Sequence, residues 1–302
     1  MAIYVETRID GPMDELWNLT QQPDQHEQWD LRFTNIQYLP RDDGSQPQHF
    51  RYSTRLGFGL SIQGEGVTTA SRGDKTGERS SALSFSSQDP KSLIRSGSGY
   101  WKYIPTQDGV RFLTRYDYCV RFGWPGRTFD ALVFRPLMHW ATAWSFDRLR
   151  LWVERGITPA ISLERSLVHG LARIAVAFVW IYHGLVPKLL FQHRDEFTML
   201  ADVGISSSFA AVALNALGCL EVLLGVLILV GWGSRWPILL TVILMVFASV
   251  GVSLNSPTFL VAAFNPVSLN LAVTALSLIA YLSSHDLPSA SRCLLKPPEE
   301  SE

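Results

Sequence analysis

The sequence predicts two unlike parts: an α+β domain with an antiparallel sheet and a long C-terminal helix, then an all-α bundle of four transmembrane helices. Three observations carry that expectation. Charge is unevenly placed: residues 1–168 hold 20 Lys+Arg and 19 Asp+Glu, whereas residues 169–302 hold 6 and 8. The charge-poor part contains four apolar stretches, 171–190, 209–230, 236–255 and 264–283, each 20 to 22 residues long. A helix rising about 1.5 Å per residue needs roughly 20 residues to cross about 30 Å of hydrocarbon, and a soluble helix of that length keeps a charged face that these lack. In the charge-rich part, a period of two gives way to a helical period after Pro125.

Residues 2–9 open the first domain as a strand, with Ile3, Val5, Thr7 and Ile9 on one face and Tyr4, Glu6 and Arg8 on the other. Pro12 starts a short helix with Asp14 and Glu15 in its first turn, where the helix dipole favours acids, and with Leu16, Trp17 and Leu19 as its apolar positions. A second short helix runs from Pro23 toward Trp29. Strands follow at 51–58, with Tyr52, Thr54, Leu56 and Phe58 on one face, and at 110–121, with Val110, Phe112, Thr114, Tyr116, Tyr118 and Val120 on one face. Further strands are expected near 61–71, 80–87 and 98–105, with turn-rich stretches at 41–48 and 71–77. Strands joined by turns make the sheet antiparallel. Phe129, Leu132, Val133, Leu137, Trp140, Ala141 and Trp144 then repeat at helical spacing, predicting a helix that covers the sheet and kinks at Pro136.

Residues 156–168 read as a linker, 169–285 as the bundle and 286–302 as a tail. Four spans put both chain ends on one side. Arg155, Arg165, Arg173, Arg235, Arg292 and Lys296 fall on the side of the first domain, against Lys188 and Arg194 on the other. That bias predicts a multi-pass inner-membrane protein with both termini in the cytoplasm, and Trp232 and Trp236 flank Arg235 as headgroup anchors. Glu6, Arg8 and Asp10 interrupt any signal-peptide h-region at the N-terminus. A net charge of -1 gives no electrostatic footprint for nucleic acid. Cys119, Cys219 and Cys293 are odd in number and widely spaced, which suits neither a disulfide framework nor a zinc site.

Two resemblances add to this reading. Over 1–155, the segments VETRIDGPMDELWNLTQQPDQHEQWD and RPLMHWATAWSFDRLRLWVERG resemble the SRPBCC superfamily, the START and polyketide-cyclase-like domains. The resemblance implies a helix-grip fold with a hydrophobic cavity between sheet and long helix, used for lipids, aromatic metabolites or hormones. Alternation nominates Tyr52, Thr54, Trp101, Tyr103, Phe112, Tyr116, Trp140 and Trp144 as cavity-facing, with ordinary core packing the favoured reading of each taken singly. Across about 171–283, the segments WIYHGLVPKLLF, LGCLEVLLGVLIL and AFNPVSLNLAVTALSLIAYL are similar to the DoxX-like family of four-helix bacterial membrane proteins. The wider group includes a subunit of a thiosulfate:quinone oxidoreductase, which implies quinone association and a membrane redox partner.

An ionisable side chain at mid-membrane costs about 2.5–3.5 kcal/mol on insertion scales, so such groups face protein or water. His183 and Glu221 lie there, about one helical turn apart in depth and within reach of a bridging side chain. Asn215 and Asn270 each sit six positions into a descending span, and Asn255, Asn265 and Lys188 mark the outer mouth. Gly218, Glu221 and Gly225 share one helix face, where small residues permit close approach and turn the carboxylate inward. Pro187 cannot donate to the carbonyl of His183 and leaves that acceptor free. These residues predict a proton-handling or polar-headgroup site, with quinone as one ligand and no metal. No G-x-S-x-G elbow, P-loop or H-E-x-x-H occurs, and His26, His49 and His139 lack ligand spacing. The expected function is therefore a membrane protein binding a lipid, quinone or polyketide-like molecule. The alternatives are a redox accessory subunit, a membrane-tethered cyclase and a structural anchor.

Overall fold

A computed structural model describes residues 2–41, 43, 46–57, 59–72 and 77–298, without the side chains of 71 and 72. The chain forms two compact units, residues 1–162 together with 288–302, and residues 163–287.

The first unit runs β1 (Ile3–Ile9), α1 (Met13–Gln21), α2 (Pro23–Trp29), β2 (Asn35–Tyr38), β3 (Gln48–Gly57), β4 (Leu60–Arg72), β5 (Arg79–Ser86), β6 (Ile94–Thr106), β7 (Gly109–Val120), α3 (Gly123–Phe129), a π-helical turn (Asp130–Phe134) and α4 (Arg135–Arg155). The seven strands pair antiparallel in the order β1-β7-β6-β5-β4-β3-β2, so the first strand lies against the last. Alternation on β7 turns Val110, Phe112, Tyr116 and Tyr118 toward the core, where Phe146 of α4 meets them. An antiparallel sheet gripped by a long helix is the helix-grip fold that the sequence predicts.

Three local features differ from expectation. The four-residue β2 offers too short a period to read, and Phe58 with parts of both turn-rich stretches lies outside the described residues. Pro136, which lacks an N–H, sits where the π-helical turn Asp130–Phe134 passes into α4, so the helix is irregular just before it. On β1, Tyr4 and Glu6 are as buried as the opposite face. Arg111 Nε donates to Glu6 Oε1 at 2.9 Å, and the Tyr4 hydroxyl donates to the same carboxylate. The free edge of β1 is also taken by the end of the chain: Glu6 N donates to Leu294 O at 3.0 Å and Leu294 N to Glu6 O at 2.8 Å. Residues read as a trailing tail thus cap an edge strand, with Cys293 buried in the core beside them.

The second unit comprises α5 (Pro159–His183), a π-helical stretch (Gly184–Leu190), α6 (Arg194–Asp202), α7 (Ser207–Val230), α8 (Trp236–Asn255) and α9 (Pro266–Leu282). Only Gly156, Ile157 and Thr158 separate α4 from α5, so most of the expected linker is helix. Its stop signal is Gly156, whose φ of 65° lets the chain leave α4 through the left-handed region. Pro159–Leu190, Ser207–Val230 and Trp236–Asn255 are long and apolar enough to cross a membrane, and Pro266–Leu282 is a shorter apolar helix. Phe209, Phe247 and Leu254 are each about two-thirds or more exposed (68%, 71% and 76%). Such surfaces are stable in hydrocarbon, where a helix needs only its own backbone hydrogen bonds and apolar side chains outward. Inside, Val176, Ala177, Trp180, Leu224 and Ile228 form a packed core.

Candidate functional site in the helical bundle

Glycine sets the geometry of the site. A Cβ added at Gly184 would stand 2.5 Å from the carbonyl oxygen of Gly218, and one added at Gly218 would stand 2.9 Å from the carbonyl oxygen of Gly184. A Cβ at Gly225 would meet Ile181 Cγ1 at 2.6 Å. The backbones of α7 and of the segment around Gly184 therefore touch, as small residues permit in membranes. Pro187 withholds a donor within this segment, which winds as a π-helix; such turns recur at functional sites.

Next to the glycine contact, Lys188 reaches across the gap. Its Nζ lies 3.1 Å from Glu221 Oε2 on α7 and donates to Glu196 Oε1 on α6 at 3.0 Å. Lys188 is buried (8% exposed), so one ammonium is shared between two partly buried carboxylates. Glu221 Oε2 sits at ion-pair distance but makes no directional hydrogen bond and has no other partner among the described residues. The expected pairing of His183 with Glu221 is corrected here: Lys188 holds the carboxylate, because its longer stem spans the offset. The His183 ring makes no hydrogen bond among the described residues.

These groups line a cavity of about 920 Å³ bounded by α5 to α9. Trp180, Leu217, Leu224, Met245 and Phe247 supply apolar wall, while His183, Lys188, Glu196, Glu221, Ser268 and Asn270 supply the polar lining. Asn265 also borders it, but its Oδ1 accepts from Ser268 N at 2.8 Å and caps α9. Asn215 and Asn255 lie outside the lining. Gln192 donates to Asn215 Oδ1 at 3.1 Å, and Asn255 donates to the Gly251 carbonyl at 2.9 Å. The sequence reading missed Glu196, which sits on a nine-residue helix too short to register as a span. It also treated Arg173 only as a topology marker. Arg173 is 1% exposed and donates to the carbonyls of Ile228 (2.6 Å), Ser234 (3.0 Å) and Gly231, closing the C-terminal end of α7.

The helix-grip interior is filled. Trp101, Tyr103, Phe112 and Tyr116 belong to its core, and the Phe112 and Phe146 rings stack at 4.5 Å. The Tyr103 hydroxyl bonds Thr20 Oγ1 at 2.7 Å and accepts from Gln21 Nε2 at 3.0 Å, and the Tyr116 hydroxyl bonds Thr142 at 2.9 Å. Thr54 donates to the Arg32 carbonyl, and Tyr52 meets Phe33 edge-on. Trp144 is buried, but Trp140 is 49% exposed and stacks on Trp144 from outside, which corrects its assignment as cavity-facing. The void left near His26, Phe33 and Trp101 measures about 40 Å³, the space of about one water. Trp29 and Phe146, which alternation in the strands cannot report, occupy the expected cavity. Beside them Asp30 is fully buried. Burial alone would raise its carboxyl, but the Arg32 guanidinium at 2.6 Å and His26 at 3.1 Å hold it well below the usual carboxylate range. Among the described residues no group of three His, Cys, Asp or Glu is placed to hold a metal ion.

Residues 177–278 match the model of the DoxX-like family. The uncharacterized membrane protein YndG of Bacillus subtilis is 47% identical over 186 residues, which cover 60% of this chain and 68% of that protein. Solved structures resemble the other part at the level of fold. A STAR-related lipid transfer protein fragment from Xanthomonas axonopodis has 15% identity and a TM-score of 0.37, covering 51% of this chain and 86% of its own. The di-domain ARO/CYC StfQ from the steffimycin biosynthetic pathway has 16% identity and a TM-score of 0.41, covering 51% and 50%. A START superfamily protein from Mycobacterium smegmatis has 14% identity and a TM-score of 0.33, covering 46% and 90%.

Proposed function

The chain belongs to the DoxX-like membrane proteins, and from that premise we propose that its bundle binds a hydrophobic small molecule whose polar head reaches Lys188 and Glu221. One observation carries the reading: a mostly apolar cavity of about 920 Å³ is bordered by the buried Lys188 ammonium and the Glu221 carboxylate, paired at 3.1 Å. Small-molecule sites have this form, apolar walls with a few convergent polar groups. The head must offer an acceptor to Lys188 or a donor to Glu221, which fits a quinone, a lipid headgroup or a polyketide-like phenol. The filled helix-grip interior favours the bundle over the first domain as the seat of this ligand.

The fold of the tail supports four crossings. Residues after α9 pair with β1, so the chain leaves the first domain and returns to it, which requires an even number of crossings. Three helices are long enough to cross, and we read α9 as the fourth; its 17 residues extend about 25 Å, at the short end of the usual range. The Lys and Arg bias supports a reading with both termini in the cytoplasm of an inner membrane.

Purifying the full chain in mild detergent and identifying the extracted small molecules by mass spectrometry tests the function. Wild-type protein is expected to retain one hydrophobic species in fixed proportion. Ala248→Trp, which puts a bulky ring at the cavity wall, and Glu221→Gln are expected to lose it. Retention by both variants, or an empty wild-type protein, refutes the proposal, and the latter favours a structural anchor.

A further inference from the structure

The surface made by α3, the π-helical turn and the first half of α4 is apolar and open. Trp124 and Leu132 are 78% and 74% exposed, and Phe129, Val133, Leu137 and Trp140 are about half exposed. From Phe129 onward these positions repeat at i, i+3, i+4, i+8 and i+11, which places them on one stripe of a helix. Soluble proteins seldom leave so continuous an apolar face in water. Charge on this segment is one-sided. Its only acid, Asp130, is buried and accepts from the Tyr118 hydroxyl at 2.7 Å and from Arg135 Nε at 2.9 Å. Arg127 is exposed beside the stripe, whereas the partly exposed Arg135 pairs with the exposed Asp117 at 2.9 Å and Arg121 donates to the carbonyls of Ser87 and Asp89.

We propose that this face docks on the headgroup and acyl boundary of a bilayer containing anionic lipid. Two observations select that partner. The domain cannot leave the membrane, because only three residues separate α4 from the helix that becomes the first span. Trp, Phe and Leu are the side chains that interfacial helices bury, and the exposed Arg127 beside them complements anionic headgroups. Docking holds α4 against the membrane surface and shields the stripe from water. It is independent of any ligand in the bundle.

The test uses the full chain with Cys119, Cys219 and Cys293 replaced by Ser and a nitroxide label at Leu132→Cys, reconstituted in phosphatidylcholine and phosphatidylglycerol vesicles. A label at Gln88→Cys, an exposed loop position, gives the aqueous reference. Docking predicts a severalfold higher ratio of oxygen to nickel-chelate collisions at position 132 than at 88, reduced in pure phosphatidylcholine. A ratio equal to the reference means the face is in water and overturns the proposal. Shielding from both reagents means protein covers it, and this also overturns it. An unchanged ratio in pure phosphatidylcholine overturns the role of anionic lipid. If Leu132→Cys fails to fold, Trp124→Cys, the more exposed position, carries the label.

Discussion

Replacing Lys188 with Met removes the ammonium that Glu196 and Glu221 share while keeping an apolar stem of similar length. The contacts at 3.0 and 3.1 Å are each worth about 5 kcal/mol in gross Coulomb energy at an effective dielectric of about 20. Desolvation offsets most of that when the pair forms. Removing one partner of a buried pair nevertheless costs about 3–5 kcal/mol, because a charge is left buried and alone. Lys188→Met is therefore expected to destabilise the bundle by about that amount. Adding Glu221→Gln in the same chain removes the deeper orphaned carboxylate and is expected to restore most of the loss, a coupling that a double-mutant cycle isolates. The assay is unfolding of the full chain by dodecyl sulfate in mixed micelles, followed by near-ultraviolet circular dichroism, with co-purifying small molecules measured on the same samples. If both single variants lie within about 0.5 kcal/mol of wild type, the range of an ordinary surface change, the cluster does not hold the bundle. A double variant that recovers stability without recovering ligand separates binding from structure.

Three further outcomes follow from the same geometry. Gly184→Ala is expected to cost about 1–3 kcal/mol as an overpacked contact and to draw Lys188 from Glu221, since the new Cβ would stand 2.5 Å from the Gly218 carbonyl; a neutral result in the dodecyl sulfate titration refutes close packing there. Burial pushes the Cys293 thiol up to about 12, leaving little thiolate near neutral pH, so a maleimide should modify exposed Cys119 first. Leu294→Pro deletes the donor to the Glu6 carbonyl and should accelerate labelling of Cys293; equal rates at Cys119 and Cys293 in wild type exclude a docked tail. Arg32→Ala should cost about 3–5 kcal/mol at neutral pH, because Asp30 loses its guanidinium while remaining buried. Because the folded carboxyl of Asp30 is lowered, the wild-type contribution is complete above the ordinary carboxylate value and fades as pH falls through the folded one. Thermal melts of the full chain across that range should show a flatter acid limb in the variant.

Where the chain carried a repeating constraint, the sequence was informative. The long alternation of β7 was readable because every second residue enters a core, whereas Asn35–Tyr38 buries Ile36 alone and leaves no period. Gly218 and Gly225 signalled a helix contact, since small residues flanking a carboxylate on an apolar helix serve close approach. Glu196 could not be found this way. It meets Lys188 only because the chain reverses through Phe191–His193, a tertiary event with no local pattern. The tail strand is similar, one bridge at Leu294 fixed by the edge it covers. Alternation likewise named the inward faces of β6 and β7 but not the distance to α4, which the bulk of Trp29 and Phe146 decides.

The cavity in the bundle is walled partly by residues exposed on the bundle surface, Leu220 at 61% and Phe247 at 71%, so membrane lipid can reach it. The lining restricts which occupant suits it. A plain acyl chain would cover Leu217, Leu224 and Phe247 but offer nothing to the paired Lys188 and Glu221 beside them. An amphipathic occupant meets both conditions with its head at the ion pair. Bulk lipid in that role would exchange freely and give a retained mixture following the membrane's composition, identical in wild type and Glu221→Gln. A single species enriched over that composition, and lost with the carboxylate, would mark a ligand.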